Sequence, residues 1–135
     1  MSKDVISQVG FCGKIPTKGD FVQGNFDADF IKNWHEWLQA VIAVSKEQEQ
    51  EQERWVDYYL TSPIWHFALS PGVCCNDGVI GTLIPSVDRV GRHYPFTLVS
   101  PFNTMPVEAF SSRQWCLEFE EMILKVLDDD FQFEV

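Results

Sequence analysis

Val79-Ile80-Gly81-Thr82-Leu83-Ile84, the polar run Pro85 to Tyr94, and Phe96-Thr97-Leu98-Val99 decide how this chain folds. Each flank is a short run of β-branched and apolar residues bounded by glycine, proline or charge, the pattern of a strand. A third run, Ile64 to Leu69, precedes them, and Ser70-Pro71-Gly72 and Asn76-Asp77-Gly78 turn the chain in between. Sequential strands joined by short connections are expected to be antiparallel neighbours.

Working outward, Val5 to Phe11 is rich in β-formers and reads as a first strand, followed by a loop punctuated by Gly13, Pro16 and Gly19. From Asp27, a suitable N-cap, Phe30, Trp34, Trp37, Leu38, Val41 and Ile42 recur at helical spacing. The low-complexity stretch Lys46 to Glu53 has no apolar residue to bury, so it is expected to be solvated, as an exposed helical turn or a mobile connection. Trp55, Val56, Tyr59 and Leu60 resume a helix that Thr61-Ser62-Pro63 stops. A last helix is expected from about Ser111, with Gln114 completing a capping box and Trp115, Phe119, Met122, Ile123 and Val126 forming its apolar face. Asp128, Asp129 and Asp130 would end it against the sign of the helix dipole. The five tryptophans are read as core, with room for one or two exposed anchors.

The order of elements predicts one α/β (α+β) domain over residues 1–135: a mixed, mostly antiparallel central sheet with helices packed on its faces. The tail Phe131 to Val135 alternates like the start of a further strand, so the expectation is a short form or the N-terminal portion of a longer protein.

Composition narrows the function. A chain of 135 residues, 45% apolar and 14% aromatic, can bury one compact core. No apolar run approaches the roughly 18 residues of a membrane span, and the N-terminus lacks a signal-peptide core, which predicts a cytoplasmic protein without membrane insertion. A net charge of -10 argues against nucleic acid, whose binding is driven by clustered Lys and Arg. Cys12, Cys74, Cys75 and Cys116 are read as free thiols; their spacing, with His35, His66 and His93 scattered, is not that of a zinc site. No cofactor or metal is expected.

Chemistry-bearing residues concentrate in two segments. In the first, Gly13-Lys14 suggests a phosphate loop, but the residue five before Gly13 is Gln8 and Ile15 stands where a hydroxyl should bind magnesium. Lys14, Lys18 and Asp20 are therefore assigned to a shaped loop. In the second, Ser86, Asp88, Arg89, Arg92 and His93 gather around Gly91. Two readings stand for the arginines: an ion pair with Asp88 or Asp20 that locks the loop, or a fork that grips an anionic group of a partner. Ser86, Asp88 and His93 also supply the residue types of a hydrolase acting on an anionic small molecule or phosphopeptide. Ser86 lacks the glycine-flanked elbow of such enzymes, so no catalytic residue is assigned.

These segments carry a family resemblance. Gly10-Phe11-Cys12-Gly13-Lys14-Ile15-Pro16-Thr17-Lys18-Gly19-Asp20-Phe21-Val22 follows a G-K-x-P-x-x-G-D-F-V signature, Trp34 to Leu38 a W-x-x-W-L element, and Ser62 to Phe67 an S-P-x-W-x-F segment. Gly81 to Arg92 with Tyr94-Pro95 makes the fourth block. In this order, over residues 9 to 101, the chain resembles the type VI secretion-associated TagF (ImpM) family. Cys12, His66 and His93 depart from the family pattern; a histidine at position 66 is mostly neutral where the family carries arginine. The resemblance implies a post-translational regulator, a repressor, of bacterial type VI secretion. Its implied partner is the forkhead-associated (Fha) scaffold. The two loops, Lys14 to Asp20 and Ser86 to Arg92, are expected to pack together at one end of the sheet and to form or support the partner surface.

Overall fold

The structure, a computed structural model, describes residues 9–49 and 51–127. Five strands form one sheet: β1 (Gly10–Gly13), β2 (Val22–Gly24), β3 (Trp65–Leu69), β4 (Val79–Ile84) and β5 (Phe96–Pro101). Their order is β2-β1-β5-β4-β3, and every pairing among them is antiparallel. The decisive stretch forms the centre. β4 and β5 pair in register from Val79↔Pro101 to Ile84↔Phe96, and a Val87↔His93 bridge continues the hairpin into the polar run.

Alternation along the central strands sends side chains to two cores, because the side-chain period of a strand is two residues. Ile80, Phe96 and Leu98 face one side, with Ile15, Trp115, Phe119 and Ile123; Val79 and Val99 face the other, with Cys12, Phe30, Trp34 and Leu38. The second core holds a polar tie, Trp34 Nε1 donating to the buried Thr97 hydroxyl at 3.0 Å.

Helix α1 (Ala28–Gln48) starts where the sequence places it: Asp27 Oδ1 accepts from the Asp29 and Phe30 N–H groups at 2.7 and 3.3 Å. It runs through Lys46 into the low-complexity stretch, and α2 (Gln52–Leu60) begins before that stretch ends. The stretch is thus largely helical on either side of the break. α2 stops ahead of Pro63, where the Thr61 and Ser62 hydroxyls donate to the Asp57 and Tyr58 carbonyls.

Several expectations change. The first strand occupies Gly10–Gly13, while residues 5–8 of its expected range lie outside the described residues; β2 was not foreseen. The closing helix does not begin at Ser111 with a capping box. A short helix α3 (Pro106–Ala109) comes first, with Pro106 in its first turn, and the Ser111 hydroxyl donates to its Glu108 carbonyl at 2.7 Å. The last helix, α4 (Gln114–Val126), has Arg113 at its N-cap without a side-chain bond, and Gln114 turns forward to Glu118. Trp115 Nε1 donates to the Ala109 carbonyl at 2.7 Å and fixes the corner. The acidic run 128–130 and the alternating tail 131–135 lie outside the described residues. Trp34, Trp55 and Trp115 are buried, but Trp37 and Trp65 are 53% and 57% exposed. The cysteines are free thiols. Among the described residues no helix is long and apolar enough to cross a membrane.

Candidate functional site

The loop between β4 and β5 is organised by Asp88. An aspartate can accept from backbone N–H groups two and four residues onward and so close a turn on itself. Asp88 Oδ1 accepts from Val90 and Arg92 N–H at 3.0 and 2.9 Å, and Oδ2 accepts from Arg92 Nε at 2.7 Å. The backbone completes the turn, Asp88 N–H donating to the Arg92 carbonyl and Gly91 N–H to that of Asp88, both at 3.0 Å. Gly91 sits at φ +88°, in the left-handed region that other residues resist. Burial alone would raise the carboxyl's pKa. The donors from Arg92 and Val90, with the guanidinium charge, outweigh it and hold the pKa at about 2.

The loop's base is held by Tyr59 of α2. Its hydroxyl donates to the Ser86 carbonyl at 2.7 Å and accepts from the Ser86 N–H at 2.8 Å, while Trp55 stacks on the Tyr59 ring and His93 packs edge-on against both. Burial pushes the Tyr59 phenol above its ordinary pKa, so it stays neutral.

The other polar segment meets this hairpin. Gly13, at φ +134°, ends β1 so close to the hairpin that a Cβ there would lie 2.2 Å from the Pro95 carbonyl oxygen. Ile15 is fully buried and anchors the next turn, in which Lys18 N–H donates to the Ile15 carbonyl at 3.2 Å. Across the junction, Arg89 N–H donates to the Lys18 carbonyl at 2.7 Å and Arg92 Nη2 to the Gly19 carbonyl at 2.6 Å. Lys14 Nζ stands 3.5 Å from Asp88 Oδ2. A Cβ on Gly19 would lie 3.4 Å from Arg89 Nη2, so the Arg89 side chain lies along this glycine.

The structure therefore brings Lys14, Lys18, Ser86, Asp88, Arg89 and Arg92 into one assembly. Asp20 is exposed beside it and makes no ion pair among the described residues. Of the two readings of the arginines, the lock falls to Arg92 and Asp88; Arg89 is exposed, and its side chain makes no hydrogen bond among the described residues. Four cations against two carboxylates make this a locally positive patch on a chain of net charge -10.

Ser86, Asp88 and His93 do not form a relay. Asp88 spends its oxygens on Arg92, Val90 and Lys14, the Ser86 hydroxyl is buried and donates weakly to the Val87 carbonyl at 3.4 Å, and His93 faces aromatic rings. His66 lies on β3: Nε2 is 2.6 Å from Glu120 Oε2 and Nδ1 2.7 Å from the Thr82 hydroxyl. Sequence reasoning missed Tyr59 as the support of the loop. Its only signal was an aromatic at helical spacing, which looks the same as core.

The family model described as the TagF N-terminal domain, type VI secretion system-associated, matches residues 10–135. The chain belongs to the TagF family. Its association with type VI secretion follows from that membership. The fold is similar to the crystal structure of PA0076 from Pseudomonas aeruginosa PAO1, with a TM-score of 0.85 and 32% identity over 92% of this chain. The chain spans 57% of the length of that structure's chain. No curated protein matches it. Gly13, Lys14, Lys18 and Gly19 of the first segment and Asp88, Arg89 and Arg92 of the second are the residues that join the two loops.

Proposed function

We propose that this TagF-family chain is a cytoplasmic regulator of type VI secretion, a repressor, that acts by protein contact rather than by catalysis. Its partner is the forkhead-associated (Fha) scaffold of the apparatus. The observation that supports this reading is the joined loop pair. Asp88 and Arg92 hold the hairpin rigid, and that rigidity leaves Arg89 and Lys18 outward on a positive patch of an acidic molecule. Preorganised, exposed cations suit recognition of an acidic surface, since little side-chain and loop ordering remains to oppose binding.

Co-purification of the scaffold with the tagged chain tests the contact, and secretion in a deletion strain tests its sign. Arg89→Ala with Lys18→Ala is expected to reduce co-purification while the melting temperature stays unchanged, and deletion is expected to increase secretion. Undiminished co-purification would remove the loop pair from the interface. Ester or phosphoester turnover by the purified chain that disappears in Ser86→Ala would overturn the non-catalytic reading.

A further inference from the structure

On the face of the sheet opposite α4, an open groove of about 650 Å³ runs between α1, α2 and the edge strand β3. Five strands spaced about 4.8 Å apart make a sheet roughly 20 Å wide, and one helix about 10 Å across covers half of it. α1 lies over β5, where Trp34 Nε1 meets Thr97, and reaches β3, where the Trp34 ring stacks on Phe67 at 4.5 Å. Beyond that stack, between α1 and α2, the layer is open, floored by Phe67 and Leu83.

The walls are aromatic and unusually bare. Trp37 and Val41 of α1, Tyr58 of α2 and Trp65 of β3 are 53%, 44%, 60% and 57% exposed, all bordering the same groove. Large aromatic side chains gathered in one concavity are the residue types that dominate binding energy at protein interfaces.

Charge selects the occupant. Among the described residues no lysine or arginine lines the groove, although Lys46 Nζ stands 4.6 Å over the Trp55 ring of its wall; the groove's one carboxylate, Glu49, stands at the mouth where α1 ends, paired with Arg54. The low-complexity stretch supplies Glu47, Glu51 and Glu53 around the same corner, against two cations, Lys46 and Arg54, of which Arg54 is already paired with Glu49 and Glu51. An apolar slot with a negative mouth opposes an anionic lipid surface or an acidic peptide.

We infer that this groove docks an amphipathic helix of a partner protein, one whose apolar stripe is flanked by lysine or arginine. Such a helix lies alongside α1 and completes the open half of the layer. From Trp34 to Gln48, α1 offers about 21 Å of wall, enough for roughly four turns. This rests on the reading that the chain works by protein contact, but not on the loop pair being the contact.

The test is to pan a library of random peptides, each long enough for about four helical turns, on the 135-residue chain. Enriched peptides are expected to carry Trp, Leu or Phe at i, i+4 and i+7 with net positive charge. Their Kd should rise about tenfold or more in Trp65→Ala and in Val41→Glu, weaken less with salt in Glu49→Gln, and stay the same in Arg89→Ala. The substituted groove residues are largely exposed, so the melting temperature should hold; Tyr58→Ala, on a different element, provides a second probe of the wall.

No enrichment, enrichment of neutral or acidic peptides, or affinity unchanged in these groove variants would overturn the inference. So would sedimentation showing a dimer that Trp65→Ala dissociates, since the occupant would then be a second copy. Panning decides the groove alone. Absence of the scaffold from preparations of the unmodified chain would instead count against the contact reading.

Discussion

Replacing Asp88 by alanine is expected to release the hairpin and, with it, the junction between the two polar loops. The side chain has no exposed surface, yet the turn that encloses it stands at the rim of the molecule rather than in a core. Three hydrogen bonds are lost, two from backbone N–H groups and one from Arg92 Nε. Bonds to a charged group contribute about 1.5–3 kcal/mol each, but these share one loop and Arg92 can rehydrate, so together they come to about 2–4 kcal/mol. In a chain of 135 residues each kcal/mol moves the melting temperature by about 3–4 °C, giving a loss of about 6–16 °C. Asp88→Asn keeps an acceptor for the two N–H groups and loses the charge facing Arg92 and Lys14, so about half that loss is expected.

The pH dependence follows from the direction of the shift. Asp88's pKa is lowered from 3.8 to about 2, so its stabilisation is fully present above the unfolded value and is lost as the pH falls through the folded one. The melting gap between the unmodified chain and Asp88→Ala, read by circular dichroism, is expected to be constant from about pH 7 to 5, to narrow below about pH 4 and to level off below about pH 2 at about half its neutral size, the part a neutral acceptor keeps. A gap under about 2 °C at neutral pH, or one that persists unchanged in acid, would refute the claim that this carboxylate holds the site.

Other substitutions probe the same frame. Gly13→Ala forces a Cβ to 2.2 Å from the Pro95 carbonyl oxygen and is expected to abolish folding, whereas Gly91→Ala meets nothing within 4 Å and should cost only the backbone preference, about 1 kcal/mol by urea denaturation. Comparable stability of the two variants would contradict the close approach at Gly13. Tyr59→Phe leaves the Ser86 N–H without its partner, while the Ser86 carbonyl keeps the Tyr94 N–H at 3.0 Å, and is expected to cost about 1–3 kcal/mol by the same assay; a change within error would mean that water replaces the hydroxyl. The buried Cys12 thiol is pushed up to about 12 by loss of solvation, so iodoacetamide at mildly alkaline pH should leave it unlabelled in the native chain and label it in urea. Rapid native labelling, located by peptide mass, would place Cys12 at the surface.

Much of the architecture was legible because local pattern and tertiary environment agree. β3, β4 and β5 were recognisable as bounded apolar runs, and α1 as an apolar stripe behind an aspartate cap. β2 was not: Val22-Gln23-Gly24 is too short to carry a period, and it becomes a strand through pairing with β1. The capping box at Ser111 and Gln114 failed because Pro106 starts a helix earlier, which claims the Ser111 hydroxyl. At the site, the residue types were readable, but their division of labour was not. Asp88, Arg89 and Arg92 lie within five positions of one another, and spacing alone does not say which guanidinium turns inward.

The sequence by itself determined the strands of the central hairpin, the long capped helix, and the kinship carried by the two glycine-punctuated segments. These depend on side-chain period, turn chemistry and local spacing, which act within a few residues. Only the tertiary structure decided that Lys18 and Gly19 receive the hairpin's donors across the sheet end, that Tyr59 supports Ser86, and that Trp37 and Trp65 stand at a groove while Trp34 and Trp115 are buried. Each depends on which surfaces meet after the chain has closed, and a tryptophan at helical spacing looks the same in either place until its neighbours are present.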